Sequence, residues 1–197
     1  MKALLGVWIG ALAAAAVWIG WDAYQGGKPA IGGPFALTDQ DGRTVTSDSL
    51  KGKPTLIYFG FTYCPDVCPT SLLLMENAIE KLGPDAAKKV NLVFITVDPE
   101  RDTSAVLKNY VSAFDPNLIG LTGTPEQVAA VAKSFAVFYT RENSKGASDY
   151  LVGHTRTPYL FDPQGKPLVI LPVDDPATGA QEGTPQAIAA ALDRWVK

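Results

Sequence analysis

The chain has 197 residues, of which 47% are hydrophobic and 19% are charged, and its formal net charge is −3. This composition is that of a globular protein, and the length fits one domain with an added segment. The sequence contains no basic run or basic-aromatic patch, which excludes a nucleic-acid-binding protein, because a polyanion would find no positive surface to bind.

The amino-terminal segment, residues 1–21, is predicted to be a transmembrane anchor. No charged residue occurs from Ala3 to Trp21, and about twenty apolar residues are needed to cross a hydrocarbon core ~30 Å thick. Trp18 and Trp21 stand at the far end, where aromatic rings favour the headgroup region. The alternative is a cleaved secretory signal, whose apolar region usually runs only about 7 to 15 residues.

The orientation of this anchor predicts where the rest of the chain lies. Lys2 and the terminal amine are the only positive charges before the span, so the start is expected to stay in the cytoplasm. The chain is therefore predicted to be a single-pass protein of the bacterial inner membrane, with its domain in the oxidising periplasm. Cysteines can remain disulfide-bonded in that compartment.

Residues 22–34, DAYQGGKPAIGGP, contain four glycines and two prolines and are predicted to form a tether. A flexible chain of this length reaches on the order of 20 Å. The tether would thus keep the following domain close to the membrane surface.

Residues 35–197 are predicted to form one α/β domain. FALTDQDGRTVT is typical of an N-terminal hairpin that turns at Asp41-Gly42, and TLIYFGF and VNLVFITV are typical of strands covered on both faces. Between these two strands we expect a helix that begins near Pro69 and stops at Gly83-Pro84. Its apolar face would carry four residues: Leu72, Met75, Ile79 and Leu82.

The second half of the domain continues the mixture of helices and strands. TSAVLKNYVSAF is predicted to be a helix capped by Asp102 or Thr103, and TPEQVAAVAKSF a helix capped by Thr124 with Pro125 at its first position. YLFDPQGKPLVIL predicts a hairpin that turns at residues 162–165, and TPQAIAAALDRW a closing amphipathic helix. This order predicts a mixed sheet flanked by helices, parallel in the middle and antiparallel at the end.

The chain has two cysteines, Cys64 and Cys68, where TLIYFGF ends and the first helix begins. Residues four apart in a helix or helical turn have Cα atoms ~6 Å apart, within the range of a disulfide. A helix amino terminus also favours thiolate. A disulfide across so short a loop would stabilise the fold little. We therefore expect a redox pair or a metal site rather than a structural bond, with both thiols at the domain's surface.

His154 is the only histidine of the chain. If the strand that begins near Tyr159 runs antiparallel to residues 55–59, His154 lies at the sheet edge where the cysteine strand ends. Two thiolates and one imidazole suit copper, whereas structural zinc would need a fourth ligand that is not obvious in the sequence. Met75 falls on the apolar face of the helix and is expected in the core.

Three motifs resemble a known family. FTYCPDVCPTSL, ITVDPERDT and YLVGHT with YLFDPQGK occur in the order and spacing of the Sco family, membrane-anchored copper-delivery proteins for cytochrome c oxidase. The resemblance covers residues 35–197 and implies a thioredoxin-like fold that carries one copper ion, Cu(I) or Cu(II), on Cys64, Cys68 and His154. It also implies that Asp98 is a carboxylate near the copper that takes part in delivery, although DPERDT equally suits a turn and a helix cap.

The resemblance further implies the partners. The expected recipient is the binuclear copper site of cytochrome c oxidase subunit II. Another periplasmic copper carrier is a candidate supplier of the copper, and a thiol reductant is a candidate supplier of electrons. Two positions depart from the family pattern. Gly153 stands where relatives commonly have aspartate. Pro158 resembles the proline that faces the cysteines in thioredoxins, and the bond before it is a candidate for the cis form.

Two alternatives stay open on the sequence. In the first, the chain is a membrane-tethered thiol-disulfide oxidoreductase that uses Cys64 and Cys68 to reduce partner cysteines before metallation, a function that Pro158 favours. In the second, the threonine of FTYCPDVCP belongs to a peroxiredoxin-like peroxidase, but no peroxide-binding arginine can be placed from the sequence.

Overall fold

A computed structural model of the chain describes residues 31–142, 150–170 and 184–197. The predicted anchor, residues 1–21, lies outside the described residues, and within them no helix is long and apolar enough to cross a membrane. The last residues of the predicted tether already contact the domain, since the backbone N–H of Gly32 donates a hydrogen bond of 2.9 Å to the carbonyl of Ser134.

The described elements alternate between strands and helices. In chain order they are β1 (Ala36–Asp39), β2 (Thr44–Thr46), a 3-10 turn (Asp48–Leu50), β3 (Thr55–Gly60), α1 (Val67–Glu80), α2 (Pro84–Ala87), β4 (Asn91–Thr96), α3 (Ser104–Val111), β5 (Leu118–Thr122), α4 (Pro125–Ser134), β6 (Tyr139–Glu142), β7 (Leu151–His154), β8 (Tyr159–Phe161), β9 (Pro167–Ile170) and α5 (Pro185–Val196).

Seven of these strands form one mixed sheet in the order β2-β1-β5-β4-β3-β8-β9. The pairs β3–β4 and β4–β5 are parallel, whereas β1–β2, β1–β5, β3–β8 and β8–β9 are antiparallel. The predictions of an N-terminal hairpin, a parallel centre and an antiparallel carboxyl-terminal hairpin are therefore confirmed. The architecture is the thioredoxin-like α/β fold.

The two central strands explain why the sheet is stable. All six residues of β3 and five of the six in β4 are buried, as the continuous apolar runs predict for strands covered on both faces. Burying a large apolar side chain contributes about 1.5–3 kcal/mol. Because β3 and β4 are parallel, their carboxyl ends lie at the same sheet edge, so the loops that follow them are neighbours.

Helix α1 begins at Val67, two residues before the predicted start at Pro69. Pro69 is the third helical residue, a position where the backbone N–H has no partner inside the helix and a proline is tolerated. Three of the four residues predicted for the apolar face, Leu72, Met75 and Ile79, are buried in the helix as expected. Met75 thus belongs to the core. The helix ends at Glu80, earlier than the predicted stop at Gly83-Pro84, so Leu82 lies after the helix and is partly buried.

Threonines cap three helices. The side chain of Thr103 accepts the N–H of Val106 at the start of α3, and Thr184 caps α5 in the same way. At α4, Thr124 forms a reciprocal capping box with Gln127, and Pro125 takes the first helical position as predicted.

A two-stranded sheet formed by β6 and β7 was not predicted. The pairing is antiparallel and sets Tyr139 opposite His154 and Glu142 opposite Leu151. All four residues of β6 are exposed, so the segment lacks the apolar signal from which strands are recognised. His154 therefore lies at the end of β7 rather than in a simple connection to β8.

Candidate metal centre

The two cysteines lie where the main sheet meets helix α1. Cys64 lies in the loop after β3, and its N–H donates to the carbonyl of Phe61 at 3.2 Å; Cys68 is the second residue of α1. The prediction that both thiols lie at the surface is wrong, because Cys64 is 8% exposed and Cys68 is 0% exposed. Strand β7 and Phe61 lie beside the cysteine loop, and together with Cys64 they line a cavity.

Gly60, the last residue of β3, allows Cys68 to approach the sheet. A β-carbon at this position would lie 2.9 Å from Cys68 Sγ and 2.7 Å from a ring carbon of Phe94. Contacts this short do not occur without displacement, so any larger residue would move the sulfur. Glycine in a strand interior is a known signal of such a close approach, but the sequence alone does not say what approaches.

Asp102 fixes the loop that leads to Cys64. Its buried carboxylate accepts the N–H and the hydroxyl of Thr62, at 3.0 and 2.6 Å, and the hydroxyl of Thr96 at 2.6 Å. Burial raises the pKa of Asp102, an effect that these hydrogen bonds oppose. Of the two residues predicted as candidates for the cap of α3, Thr103 is the cap and Asp102 is not.

His154 reaches the sulfurs through its Nε2 atom, which lies 3.3 Å from Cys68 Sγ. Its Nδ1 lies 2.9 Å from the carbonyl of Thr155. A carbonyl can only accept, so Nδ1 carries the proton and Nε2 presents its lone pair to the sulfurs. The rings of Phe61 and Tyr58 meet the imidazole edge to face, with centroids 5.9 and 6.2 Å away, and hold its orientation.

The two thiols differ in acidity because they are hydrogen-bonded to each other. The hydrogen bond from the Cys68 thiol is the main cause that lowers the pKa of Cys64 to about 4; burial opposes this shift, and the backbone N–H groups of Asp66 and Cys68 add to it. The same hydrogen bond, together with burial, raises the pKa of Cys68. The backbone N–H of Cys68 also donates to Cys64 Sγ at 3.4 Å. At neutral pH the pair therefore consists of a Cys64 thiolate and a Cys68 thiol.

The three side chains form a donor set that could hold a metal ion. Cys64 Sγ, Cys68 Sγ and a ring nitrogen of His154 lie within 4.8 Å of one another, and among the described residues no further His, Cys, Asp or Glu joins this cluster. Two soft sulfurs and one imidazole suit Cu(I), and also trigonal Cu(II), better than structural zinc, which takes four ligands. The structure thus brings together the three residues that the sequence analysis singled out.

Asp98 lies outside this cluster. Its buried carboxylate accepts the hydroxyl of Tyr150 at 2.6 Å and the Nε of Arg101, so both oxygens already have partners. The backbone carbonyl of Asp98 accepts the N–H groups of Arg101 and Asp102, which forms the predicted turn. A part for Asp98 in copper delivery stays a prediction.

The bond before Pro158 is trans, since the described residues contain no cis peptide. The cis form, which the sequence left open, is therefore not adopted. A trans bond is favoured for most X–Pro pairs, and Pro158 directly precedes strand β8.

A cavity of about 290 Å³ opens beside the cluster. Its walls include Cys64, His154, Pro65, Leu151 and Glu142. A β-carbon at Gly153, next to His154, would lie 2.7 Å from Glu142 Oε1. The carboxylate of Glu142 therefore covers the position that a side chain at residue 153 would occupy. This contact crosses between two strands and has no signal in the sequence.

Comparison with known proteins places this site in a family. The SCO1/SenC family model matches residues 23–196. The mitochondrial SCO1 homolog 1 of Arabidopsis thaliana is 49% identical over 138 residues, which are 70% of this chain and 41% of that protein. The chain thus spans less than half of the length of that relative.

Two solved structures are similar to the chain. Bradyrhizobium japonicum ScoI with copper bound is 49% identical, has a TM-score of 0.74, and the match covers 84% of this chain and 99% of that one. The second is BsSco, described as a member of the Sco family of cytochrome c oxidase assembly proteins in which a disulfide switch is identified. It is 29% identical and has a TM-score of 0.54, and the match covers 72% of this chain and 82% of that one. Fold, site and family model agree, and the chain belongs to the SCO1/SenC family.

Proposed function

We propose that this protein is a metallochaperone that binds one copper ion as cargo through Cys64, Cys68 and His154 and delivers it to cytochrome c oxidase. The observation that carries the proposal is the convergence of two sulfurs and the unprotonated Nε2 within 4.8 Å, with Nδ1 tied to the carbonyl of Thr155. The copper-bound ScoI structure and the description of BsSco as an oxidase assembly protein support it. The recipient is the binuclear copper site of subunit II.

Transfer of the ion needs a site that a partner can enter. Three protein ligands leave a coordination position free, unlike a closed four-ligand site. The cavity beside Cys64 and His154 gives a donor atom of the partner a route to that position. The incoming ligand can then replace the ligands of this chain one at a time, so that the ion is never released into solvent.

The predicted anchor and tether place the domain where delivery occurs. The apolar run of residues 3–21 holds the chain in the bacterial inner membrane, and the domain lies in the periplasm within reach of a membrane-bound oxidase. An alkaline wash of isolated membranes tests this arrangement. The chain should stay with the membranes, whereas its release would contradict a spanning anchor.

A second function, reduction of the recipient's cysteines before metallation, is favoured by the Cys64 thiolate, whose pKa is lowered to about 4. Cys64 attacks one sulfur of a partner disulfide and releases the other as a thiolate. Cys68 then loses its proton and attacks Cys64, which forms a Cys64–Cys68 disulfide and frees the second partner sulfur. Two electrons pass from this chain to the partner.

The reduction potential of the Cys64–Cys68 pair tests this second function. A potential above about −300 mV is expected, because other thiols can then return the Cys64–Cys68 disulfide to the dithiol after each turnover. A lower value would mark a disulfide that resists such reduction, so that the pair could not be recycled.

Copper transfer tests the main proposal. The full chain, reduced and loaded with copper, is mixed with the copper-free soluble domain of oxidase subunit II, and the absorption of the binuclear copper site is followed. Transfer should be complete with the natural chain and absent with Cys64→Ser. Failure of the loaded natural chain to metallate the recipient would overturn the proposal.

A further inference from the structure

Arg101 lies at a point where three segments of the structure meet. It belongs to the loop between β4 and α3, and its side chain is only 15% exposed. Its Nε donates to the carboxylate of Asp98, which also accepts the hydroxyl of Tyr150. The bond to Asp98 therefore holds the Arg101 side chain against its own loop. Because Asp98 also binds Tyr150, the same carboxylate connects Arg101 with the segment that enters β7.

The guanidinium also stacks on aromatic rings from both segments that carry the cluster. Its Cζ lies 3.6 Å from the ring centroid of Tyr150, which immediately precedes β7, and 4.7 Å from that of Tyr63, which immediately precedes Cys64. Phe61, whose centroid is 5.9 Å away, is the ring that meets the imidazole of His154. One cation thus contacts the loop of Cys64 and the strand of His154 at the same time.

This arrangement uses the planar shape of arginine and not only its charge. The Nη2 atom of Arg101 is buried and has no hydrogen-bond partner among the described residues. A buried donor without a partner is unfavourable, so the guanidinium keeps this position through its aromatic contacts and its bond to Asp98. Lysine offers a point charge without a flat face and cannot reproduce the stack.

We propose that Arg101 is a positioning residue for the metal centre: by stacking between Tyr63 and Tyr150, it holds the cysteine loop and the histidine strand at the separation at which the sulfurs and Nε2 converge. The inference rests on the proposed function and adds to it a residue that touches none of the three ligands. Without the stack, Tyr63 and Tyr150 lose their common contact, and the imidazole is no longer held over the thiols.

Arg141 provides a matched control. Its Cζ lies 4.7 Å from the same Tyr150 ring, but its side chain is 47% exposed and pairs with Glu100 at 2.6 Å. The cation–π contacts found in the described residues do not connect Arg141 with Tyr63 or Phe61. Removing Arg141 therefore takes one cation from Tyr150 and leaves the connection to the cysteine loop intact.

The first test uses the copper-free protein. His154 is the only histidine, so its imidazole protons are identified in NMR spectra without ambiguity. The full chain should show nuclear Overhauser effects from the imidazole to the rings of Phe61 and Tyr58. These effects should be lost in Arg101→Met and in Arg101→Lys, and kept in Arg141→Met. Their persistence in both Arg101 variants would overturn the inference.

The second test is titration of the same reduced proteins with Cu(I) and Cu(II). Arg101→Met and Arg101→Lys should weaken copper binding about 10- to 100-fold, the range seen when a group that orients a ligand is removed. They should also shift the thiolate-to-copper absorption band, a signature that loss of stability alone would not move. Should Arg101→Met fail to fold by circular dichroism, the milder Arg101→Lys decides both tests.

The outcomes separate this inference from the proposed function. If the natural chain binds no copper, the proposed function fails and the inference fails with it. If the natural chain binds copper and the Arg101 variants match it in affinity, absorption band and nuclear Overhauser effects, the positioning role of Arg101 alone is refuted. Equal effects of Arg101→Met and Arg141→Met would likewise refute it, because the connection to the cysteine loop would then be irrelevant.

Discussion

Gly60 sets how closely Cys68 can approach the sheet. A methyl group there would stand 2.9 Å from the sulfur and 2.7 Å from Phe94. We expect Gly60→Ala to lower the free energy of unfolding by about 1–3 kcal/mol, as overpacked core positions do, and to weaken copper binding because the sulfur is displaced. Urea unfolding and copper titration measure the two effects.

Gly120 is the control for this change, because it also lies in the main sheet, in β5, and a β-carbon there would stand 2.9 Å from Val111 Cγ1. Gly120→Ala should cost comparable stability and leave copper affinity unchanged. Unaltered copper binding in Gly60→Ala would show that the close approach at Gly60 serves packing only.

The unequal acidity of the thiols predicts a pH dependence. Because the Cys68 thiol is the main group that lowers the pKa of Cys64 to about 4, the Cys64 thiolate persists through neutral pH and is lost only as the pH falls through about 4. The rate of Cys64 alkylation by iodoacetamide in the copper-free protein should follow this profile. In Cys68→Ala the donor is absent, and the midpoint should rise towards the ordinary value of a thiol. The same midpoint in both proteins would contradict the assignment.

At the residue scale, the sequence was sufficient to find the three candidate ligands, since the chain offers only two cysteines and one histidine. It was not sufficient to find the residues that hold them. Gly60 and Arg101 act through contacts between segments that are distant along the chain. No local pattern encodes such contacts.

Among the elements, the loop after β3 is the one on which the site depends most directly. Asp102 accepts three hydrogen bonds from Thr62 and Thr96 and so connects this loop with β4 and α3. Asp102→Ala leaves those donors without an acceptor, and we expect the free energy of unfolding to fall by about 3 kcal/mol, since each buried unpaired group costs about 1–3 kcal/mol. Chemical denaturation measures the loss.

Asp41 is the comparison for Asp102, because its carboxylate pairs with Lys108 and Arg43 at the surface. Asp41→Ala should cost less than about 1 kcal/mol, the usual contribution of exposed ion pairs. Equal losses in the two variants would mean that the Asp102 hydrogen bonds do not hold the loop.

The helices and the strands of the main sheet could largely be predicted, because each has a strong local signal. Thr124 and Pro125 mark the start of α4, and the apolar run TLIYFGF marks β3. Helix α1 begins two residues before its predicted start at Pro69, because the first turn of a helix tolerates proline. The polar strand β6 has no such signal, because its exposed residues resemble those of a loop.

At the scale of the whole molecule, the site arises from the topology of the sheet. Parallel β3 and β4 deliver the cysteine loop and the loop of Arg101 to one edge, and the separate β6–β7 pair brings His154 to them. The first half of this arrangement follows from two buried parallel strands, which the sequence predicts. The second half depends on a pairing between Tyr139–Glu142 and Leu151–His154 that becomes visible only in the fold.

Copper titration of the reduced full chain, with and without His154, tests the central claim most directly. The natural chain should bind one copper ion, and its Cu(II) form should show a thiolate-to-copper absorption band. His154→Ala should weaken Cu(II) binding severely and alter that band, while the Cys64–Cys68 disulfide still forms on oxidation. If His154→Ala binds both oxidation states with the affinity and the visible spectrum of the natural chain, the site of two cysteines and one histidine is wrong.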